Sequence, residues 1–182
     1  MLIGPGGVGK GTLAQRLTQD DSRLWLSRSW TTRPKRAAEH GDEYVFVDRS
    51  TFQSAIDDER FLEWAEFHGN LYGTPLPASD DVDVLLEIEV QGAQQVLEEN
   101  AQAVVFLILP PSMELLKDRL QSRGDSADHV DRRLRSAPLE LAKGHELATH
   151  VIVNDDIERA AGEILSILEG LRQRRRPPST KD

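Results

Sequence analysis

Residues 4 to 12 read GPGGVGKGT, placed directly after an apolar run and directly before a helical pattern. Glycines at 4, 6, 7 and 9 let the backbone turn tightly and aim its N–H groups inward, and the helix that follows adds the partial positive charge of its N-terminus. The result is a cradle for a triphosphate, formed by Gly4, Gly6, Gly7, Val8, Gly9, Lys10, Gly11 and Thr12. Lys10 reaches the β- and γ-phosphates and offsets charge as a phosphoryl group moves. The common form of such a loop has Ser or Thr directly after the lysine; here Gly11 stands there and Thr12 follows. Thr12 is therefore the candidate for the magnesium that accompanies ATP, through its hydroxyl or through a water. A second concentration of chemistry is SRSWTTRPKR, residues 27 to 36, where Arg33 and Arg36 stand three apart in an otherwise acidic chain. Guanidinium forks suit bidentate capture of a phosphate, and Tyr44 and Tyr72 can add hydroxyl donors.

The elements that must position these groups follow from the apolar pattern. Nearly continuous apolar runs at Met1 to Ile3, Leu24 to Leu26, Val84 to Ile88, Val104 to Leu109 and His150 to Val153 read as strands buried on both faces. Helical patterns lie between them, at about Gly11 to Gln19, Ala93 to Glu99, Met113 to Ser122, His129 to Lys143 and Ile157 to Arg172, with Pro138 expected to kink or interrupt the fourth. That alternation predicts an α/β fold, a five-stranded parallel sheet flanked by helices. From Trp30 to Thr74 the runs are short and half-polar (Tyr44 to Val47, Glu63 to Phe67) and broken by turn residues such as His68-Gly69-Asn70. This stretch reads as an inserted lobe with a small antiparallel sheet. Trp30, Trp64 and Phe67 read as core, not as stackers on a ligand. The close of the sequence, RRRPPSTKD, has no apolar periodicity, and 176–182 reads as a disordered tail.

Composition narrows the partners. The 182 residues suit a single domain, and 22 Lys and Arg against 31 Asp and Glu give a net charge of -9. Such a charge argues against broad binding to nucleic acid or an anionic membrane, so a polyanionic ligand must be met by locally clustered cations. The absence of Cys excludes disulfides and thiolate metal sites and suits a reducing compartment, with cytoplasm the expectation. No apolar run has transmembrane length, and the first motif begins within a few residues of Met1, leaving no room for a signal peptide. The five histidines show no metal spacing.

Beyond the loop, the chain carries FLEWAEFHGNLYGT at 61 to 74, DVLLEIEVQGA at 83 to 93, PPS at 110 to 112 and VIVNDD at 151 to 156. In this order and spacing the strings resemble guanylate kinase, over nearly the whole chain from Met1 to about Leu171. The resemblance implies a P-loop NTPase fold: a core of about 1–28 and 82–175, a GMP-binding lobe of about 29–81 and a lid of about 119–133. It implies that Ser29, Arg33, Arg36, Tyr44, Glu63, Tyr72, Thr74 and Glu89 line the GMP site, with Arg33, Arg36 and the tyrosines on the phosphate. Glu63, Thr74, Ser29 and Glu89 then face the guanine or its vicinity. It also implies lid arginines Arg119, Arg123 and Arg133 that act with Lys10 and Arg33 on the transferring group, and adenine-side contacts from Asn154 and Asp155. The two latter residues read equally well as the turn and cap of the last helix.

The implied reaction is ATP + GMP giving ADP + GDP with Mg2+, with dGMP as a further acceptor. The alternatives are a kinase for another monophosphate, a regulatory ATPase, and a non-catalytic module of the kind that has lost the ATP loop. The intact loop and Lys10 speak against the last. The chain departs from the family's pattern in several places. Glu89 stands where Asp is usual, the stretch between Thr74 and Val84 is short, RGDSADHVDRRL lacks one residue, and only three residues precede the loop.

Overall fold

The computed structural model describes residues 1–35, 41, 44–76 and 82–175. The expected strands form one three-stranded parallel sheet, β1 (Leu2–Ile3), β8 (Phe106–Leu109) and β9 (His150–Val153), and a parallel pair, β2 (Leu24–Leu26) with β7 (Asp83–Leu85). The two meet at Leu2, whose N–H donates to Leu86 O at 2.8 Å and whose carbonyl accepts from Ile88 N at 3.2 Å.

Alternation along these short strands sends side chains to two faces. Leu2, Phe106, Ile108 and Ile152 pack on Leu13, Leu17, Leu116, Leu120 and Ile164, which belong to α1 (Lys10–Asp20), α4 (Met113–Ser122) and α6 (Ile157–Arg175). Ile3, Leu86, Ile88 and Leu107 pack on Ala93 and Val96 of α3 (Val90–Glu99) and on Leu141 and Leu147 of α5 (Ala127–Leu147). Helices therefore cover both faces, which is why the strands read as unbroken apolar runs. Among the described residues no helix is long and apolar enough to cross a membrane.

An ion-pair network closes the edge formed by β2 and β7. The Asp21 carboxylate, just past α1, accepts from Arg23 Nε at 2.8 Å and from Arg172 of α6, whose Nε also reaches Asp83 at 2.7 Å. Hydrogen bonds from Arg23, with those from Arg172, hold the Asp21 carboxyl well below the usual carboxylate range.

The second sheet has the order β4-β3-β6-β5, from β3 (Trp30–Thr31), β4 (Val45–Phe46), β5 (Phe61–Phe67) and β6 (Asn70–Pro75). It is mixed and not purely antiparallel: β3 pairs with β4 in parallel, and with β6 in antiparallel sense. The chain from Thr31 to Val45 is long enough for a crossover, which a hairpin is not. Three elements of this region were not expected from sequence: β3, β6 and α2 (Arg49–Asp57). Helix α2 is begun by Asp48, whose side chain accepts from Thr51 N at 2.7 Å, and it buries Phe52 and Ala55. Phe52 stacks on Phe61 with ring centroids 4.6 Å apart.

Pro138 does not interrupt α5, which runs unbroken for 21 residues through it. The helix accommodates a proline whose missing N–H leaves one internal bond unmade, because its two halves are anchored separately. Ala137 is buried in one core cluster, while Leu141 and Leu147 pack on the other.

Candidate active site

The glycine-rich loop at 4–12 joins β1 to α1. Gly9 takes a left-handed conformation, φ 96°, just before the helix, and a Cβ there would overlap the Asn154 amide. Asn154 comes from the end of β9, is 4% exposed, and its Nδ2 donates to Val8 O at 2.8 Å. Arg119 of α4 braces the same carbonyl from Nη1 at 3.2 Å and donates to Asn154 O from Nη2 at 3.0 Å. Lys10 is buried and its Nζ donates to Gly4 O at 2.6 Å. Arg133 lies against Gly6, where a Cβ would stand 2.7 Å from its Cζ, and its Nε donates to His129 Nε2 at 2.8 Å. The loop is thus held from two helices and a strand end.

Above the loop opens a cleft of about 540 Å³. Gly6, Gly7, Gly9, Lys10, Gly11, Thr12, Arg33, Tyr44, Tyr72, Glu89, Arg119, Arg123, Arg133 and Asn154 line it, all of them expected from sequence. Glu87, Ser122 and Ile157 line it too and were not expected. Glu87 is the more telling omission. Its Oε2 stands 3.1 Å from where a Gly11 Cβ would be, at the floor of the cleft; burial and repulsion from Glu89 push its carboxyl up, while Lys10 and Arg123 oppose the shift. The signal was present as Glu-Ile-Glu at 87 to 89, two carboxylates on one side of the chain as it leaves a parallel strand.

A deeper recess continues from the cleft and shares Lys10, Tyr44, Tyr72, Glu87 and Glu89 with it. Ser29, Glu63, Ala65, Phe67 and Gly92 line this inner part. Glu63, from β5, is 6% exposed and accepts a hydrogen bond from the Thr74 hydroxyl of β6. Burial pushes the Glu63 carboxyl up, with the Thr74 bond opposing. Strand pairing sets this geometry, because Glu63 and Thr74 are register partners across β5 and β6.

Arg33 sits over the rings of Tyr44 and Phe46, its Cζ 5.5 and 5.4 Å from their centroids. The Tyr44 ring meets that of Tyr72 edge-on at 6.1 Å. Burial first, then the nearby Glu87 and Glu89, drive the Tyr44 phenol far above its ordinary range and keep it a hydrogen-bond donor.

Several expected residues take other positions. Gly4, Val8 and Thr74 support the cavities from behind and line neither. Asp155 also lies outside them: its carboxylate accepts from Arg159 Nε at 2.8 Å and from Asp156 N, at the start of α6. Trp64 is 41% exposed and not core, since β5 turns its side chain away from the recess that Glu63 and Ala65 face. Phe67 is not core alone, because it lines the recess. Arg36 and the tail at 176–182 fall outside the described residues.

Comparison with known proteins gives a consistent answer. A family model described as guanylate kinase matches residues 1–171. The chain is 45% identical over 181 residues to a guanylate kinase of Thermus thermophilus, covering 96% of this chain and 81% of that protein. It is 40% identical to a guanylate kinase of Prochlorococcus marinus, covering 93% and 95%. Among solved structures, guanylate kinase from Anaplasma phagocytophilum superposes with a TM-score of 0.76 at 34% identity, covering 93% of this chain and 82% of that one.

Proposed function

The chain belongs to the guanylate kinase family, and from that premise we propose that the outer cleft holds ATP and the inner recess holds GMP. The reaction is ATP-dependent phosphorylation of GMP, ATP + GMP giving ADP + GDP. The observation that carries the assignment of residues is the confluence of the two cavities at Lys10, Tyr44, Tyr72, Glu87 and Glu89. Donor and acceptor phosphates meet there, ringed by Lys10, Arg33, Arg119, Arg123 and Arg133. In a chain of net charge -9, these side chains are the local cation cluster that a pair of nucleotides demands.

Phosphoryl transfer asks the protein mainly for alignment and charge stabilisation. The loop N–H groups and the N-terminus of α1 hold the ATP phosphates. Lys10 leaves its bond to Gly4 O for the β- and γ-phosphates. Arg33, pre-set over two aromatic rings, and the Tyr44 and Tyr72 hydroxyls take the GMP phosphate, joined by Arg36. Glu63 pairs with the guanine N1–H and amine, with Thr74 fixing the carboxylate and Ser29 and Glu89 nearby. Thr12 and Glu87 offer hard oxygen donors at the floor of the cleft, the kind that Mg2+ takes, and they are the residues that would hold it. Bound there with ATP, the ion supplies charge neutralisation on the β- and γ-phosphates.

The strands β2-β7-β1-β8-β9 act as one five-stranded sheet of a P-loop NTPase fold, joined through Leu2. The segment of about 29–81 is the acceptor lobe, and the turn from α4 into α5, about 119–133, is the lid. Closure of both over the nucleotides keeps water from the γ-phosphate. The setting is purine nucleotide metabolism in the cytoplasm, with dGMP as a second acceptor. A coupled ADP-release assay across the monophosphates tests the reading. ADP should form with GMP and dGMP and scarcely with AMP, and equal use of AMP would overturn the guanine assignment.

A further inference from the structure

Glu63 does not stand free in the recess. Its carboxylate lies against the third residue of α3, Gly92, and both line the cavity assigned to the base. A Cβ at Gly92 would overlap Glu63 Oε2, stand 3.0 Å from its Cδ and 3.5 Å from Oε1. The other carboxylate oxygen is held by the Thr74 hydroxyl, and Thr74 is fully buried. β5 is tied to the same helix by Trp64 N–H, which donates to Gln95 Oε1 at 3.3 Å. The residue that begins α3, Glu89, makes no side-chain cap, so the first turn is left to what packs on it. The carboxylate is therefore clamped between a threonine hydroxyl on one side and a bare helix turn on the other.

We propose that Gly92 is a specificity-determining positioning residue: its missing side chain is the space in which the Glu63 carboxylate is aimed at the base of the acceptor nucleotide. The proposal rests on reading Glu63 as the partner of guanine. A methyl group at 92 displaces Oε2, the far end of a flexible side chain, and with it the direction in which the carboxylate faces the recess. Gly92 acts through Glu63 and touches no phosphate, so its effect falls on the choice and affinity of the monophosphate and spares ATP.

Two ordinary expectations run the other way. Alanine is a better helix former than glycine, so a purely structural glycine in α3 predicts equal or higher stability on replacement. A glycine needed only for backbone reasons predicts the same penalty whatever stands at 63.

The test is a cycle of three variants, Gly92→Ala, Glu63→Ala and the double variant, assayed by coupled ADP release with GMP and AMP and by thermal melting. Gly92→Ala should raise KM for GMP by about tenfold or more, the scale of a misplaced polar contact in a site that reads hydrogen bonds. KM for ATP and Tm should hold. In the Glu63→Ala background the space is open, and adding Gly92→Ala should change neither KM nor Tm. Wild-type KM for GMP in Gly92→Ala, or an equal loss in both backgrounds, would overturn the proposal. Should Gly92→Ala fail to fold, a folded double variant supports the clamp and an unfolded one sinks it. If Glu63→Ala alone left GMP affinity intact, the guanine reading would fail independently of Gly92.

Discussion

The two halves of the cleft are built on different principles. On the side proposed for ATP, six of the residues that line the cleft come from one contiguous loop, and side chains from α4, α5 and the end of β9 hold its backbone: Arg119 and Asn154 on Val8 O, Arg133 against Gly6. On the side proposed for the acceptor the lining side chains are scattered from Ser29 to Gly92 over strands β5 and β6, helix α3 and the segments that lead into β3, β4 and α3, and some are aimed by other side chains. Aromatic rings orient Arg33, while Thr74 and Gly92 orient Glu63. A phosphate is recognised by charge and tolerates backbone donors of any sequence. A base is recognised by the direction of a few hydrogen bonds, and that requires buried polar side chains whose partners are fixed. The donor half should therefore respond to substitution mainly in rate, and the acceptor half mainly in affinity and choice.

The largest effect should come from Lys10→Ala, where kcat falls by about a thousandfold or more because the lysine acts on charge developing at the transferred group. Tm should stay near wild type, and near-normal turnover would erase the difference between the halves. Glu63→Ala comes next. KM for GMP should rise and the preference for GMP over AMP should narrow by about a hundredfold, while ATP binding without acceptor is unchanged; a loss of kcat with preference intact would break the comparison. Arg33→Ala sharpens it from within the acceptor half, since a phosphate ligand should weaken GMP, dGMP and AMP alike, by about tenfold. Unequal losses would move Arg33 toward the base.

The smallest effect is away from the cleft, at Asp21. Its folded pKa is depressed by Arg23 and Arg172, so its contribution to stability is present above the ordinary carboxylate range and is lost as pH falls through the folded value. Asp21→Asn should lower Tm by about 2–4 °C at neutral pH. The gap should close as the pH drops below about 4, where the unfolded carboxylate is protonated in any case. Unaltered constants for GMP and ATP would place this network in the fold and outside both halves.

The same contrast explains what could be read from sequence. The loop was legible because its chemistry is local: GPGGVGKGT carries its turn, its lysine and its helix start in nine consecutive residues. The central strands were legible because burial on both faces makes them continuously apolar. The acceptor half was reached through resemblance, because the pairing of Glu63 with Thr74 depends on a strand register that no short string encodes. Helix α2 escaped because two buried residues in nine make a faint period, although Asp48 three residues before Thr51 was a start signal. Strand β6 was masked by Gly73 and Pro75, and β3 has only two residues. Glu87 escaped because a carboxylate at a strand end is common, and only the fold shows Gly11 beside it. Asp155 was ambiguous between nucleotide and cap, and its hydrogen bonds to Arg159 and Asp156 belong to the helix start.

Helix α5 has a mechanical consequence. It extends through 21 residues, about 30 Å at the helical rise, with Arg133 against the phosphate loop near one end and Gly144 packed on Leu107 of the central sheet near the other. Pro138 lies between them. A rod of that length turns a small angular change at its middle into a displacement of several ångströms at its tip. The one position where the internal ladder lacks a bond is where such bending costs least. Val130 and Ala137 hold the arginine end in one core cluster while Leu141 and Leu147 hold the glycine end in the other, so bending that accompanies closure of the proposed lid would be concentrated at a single ring between two anchored halves.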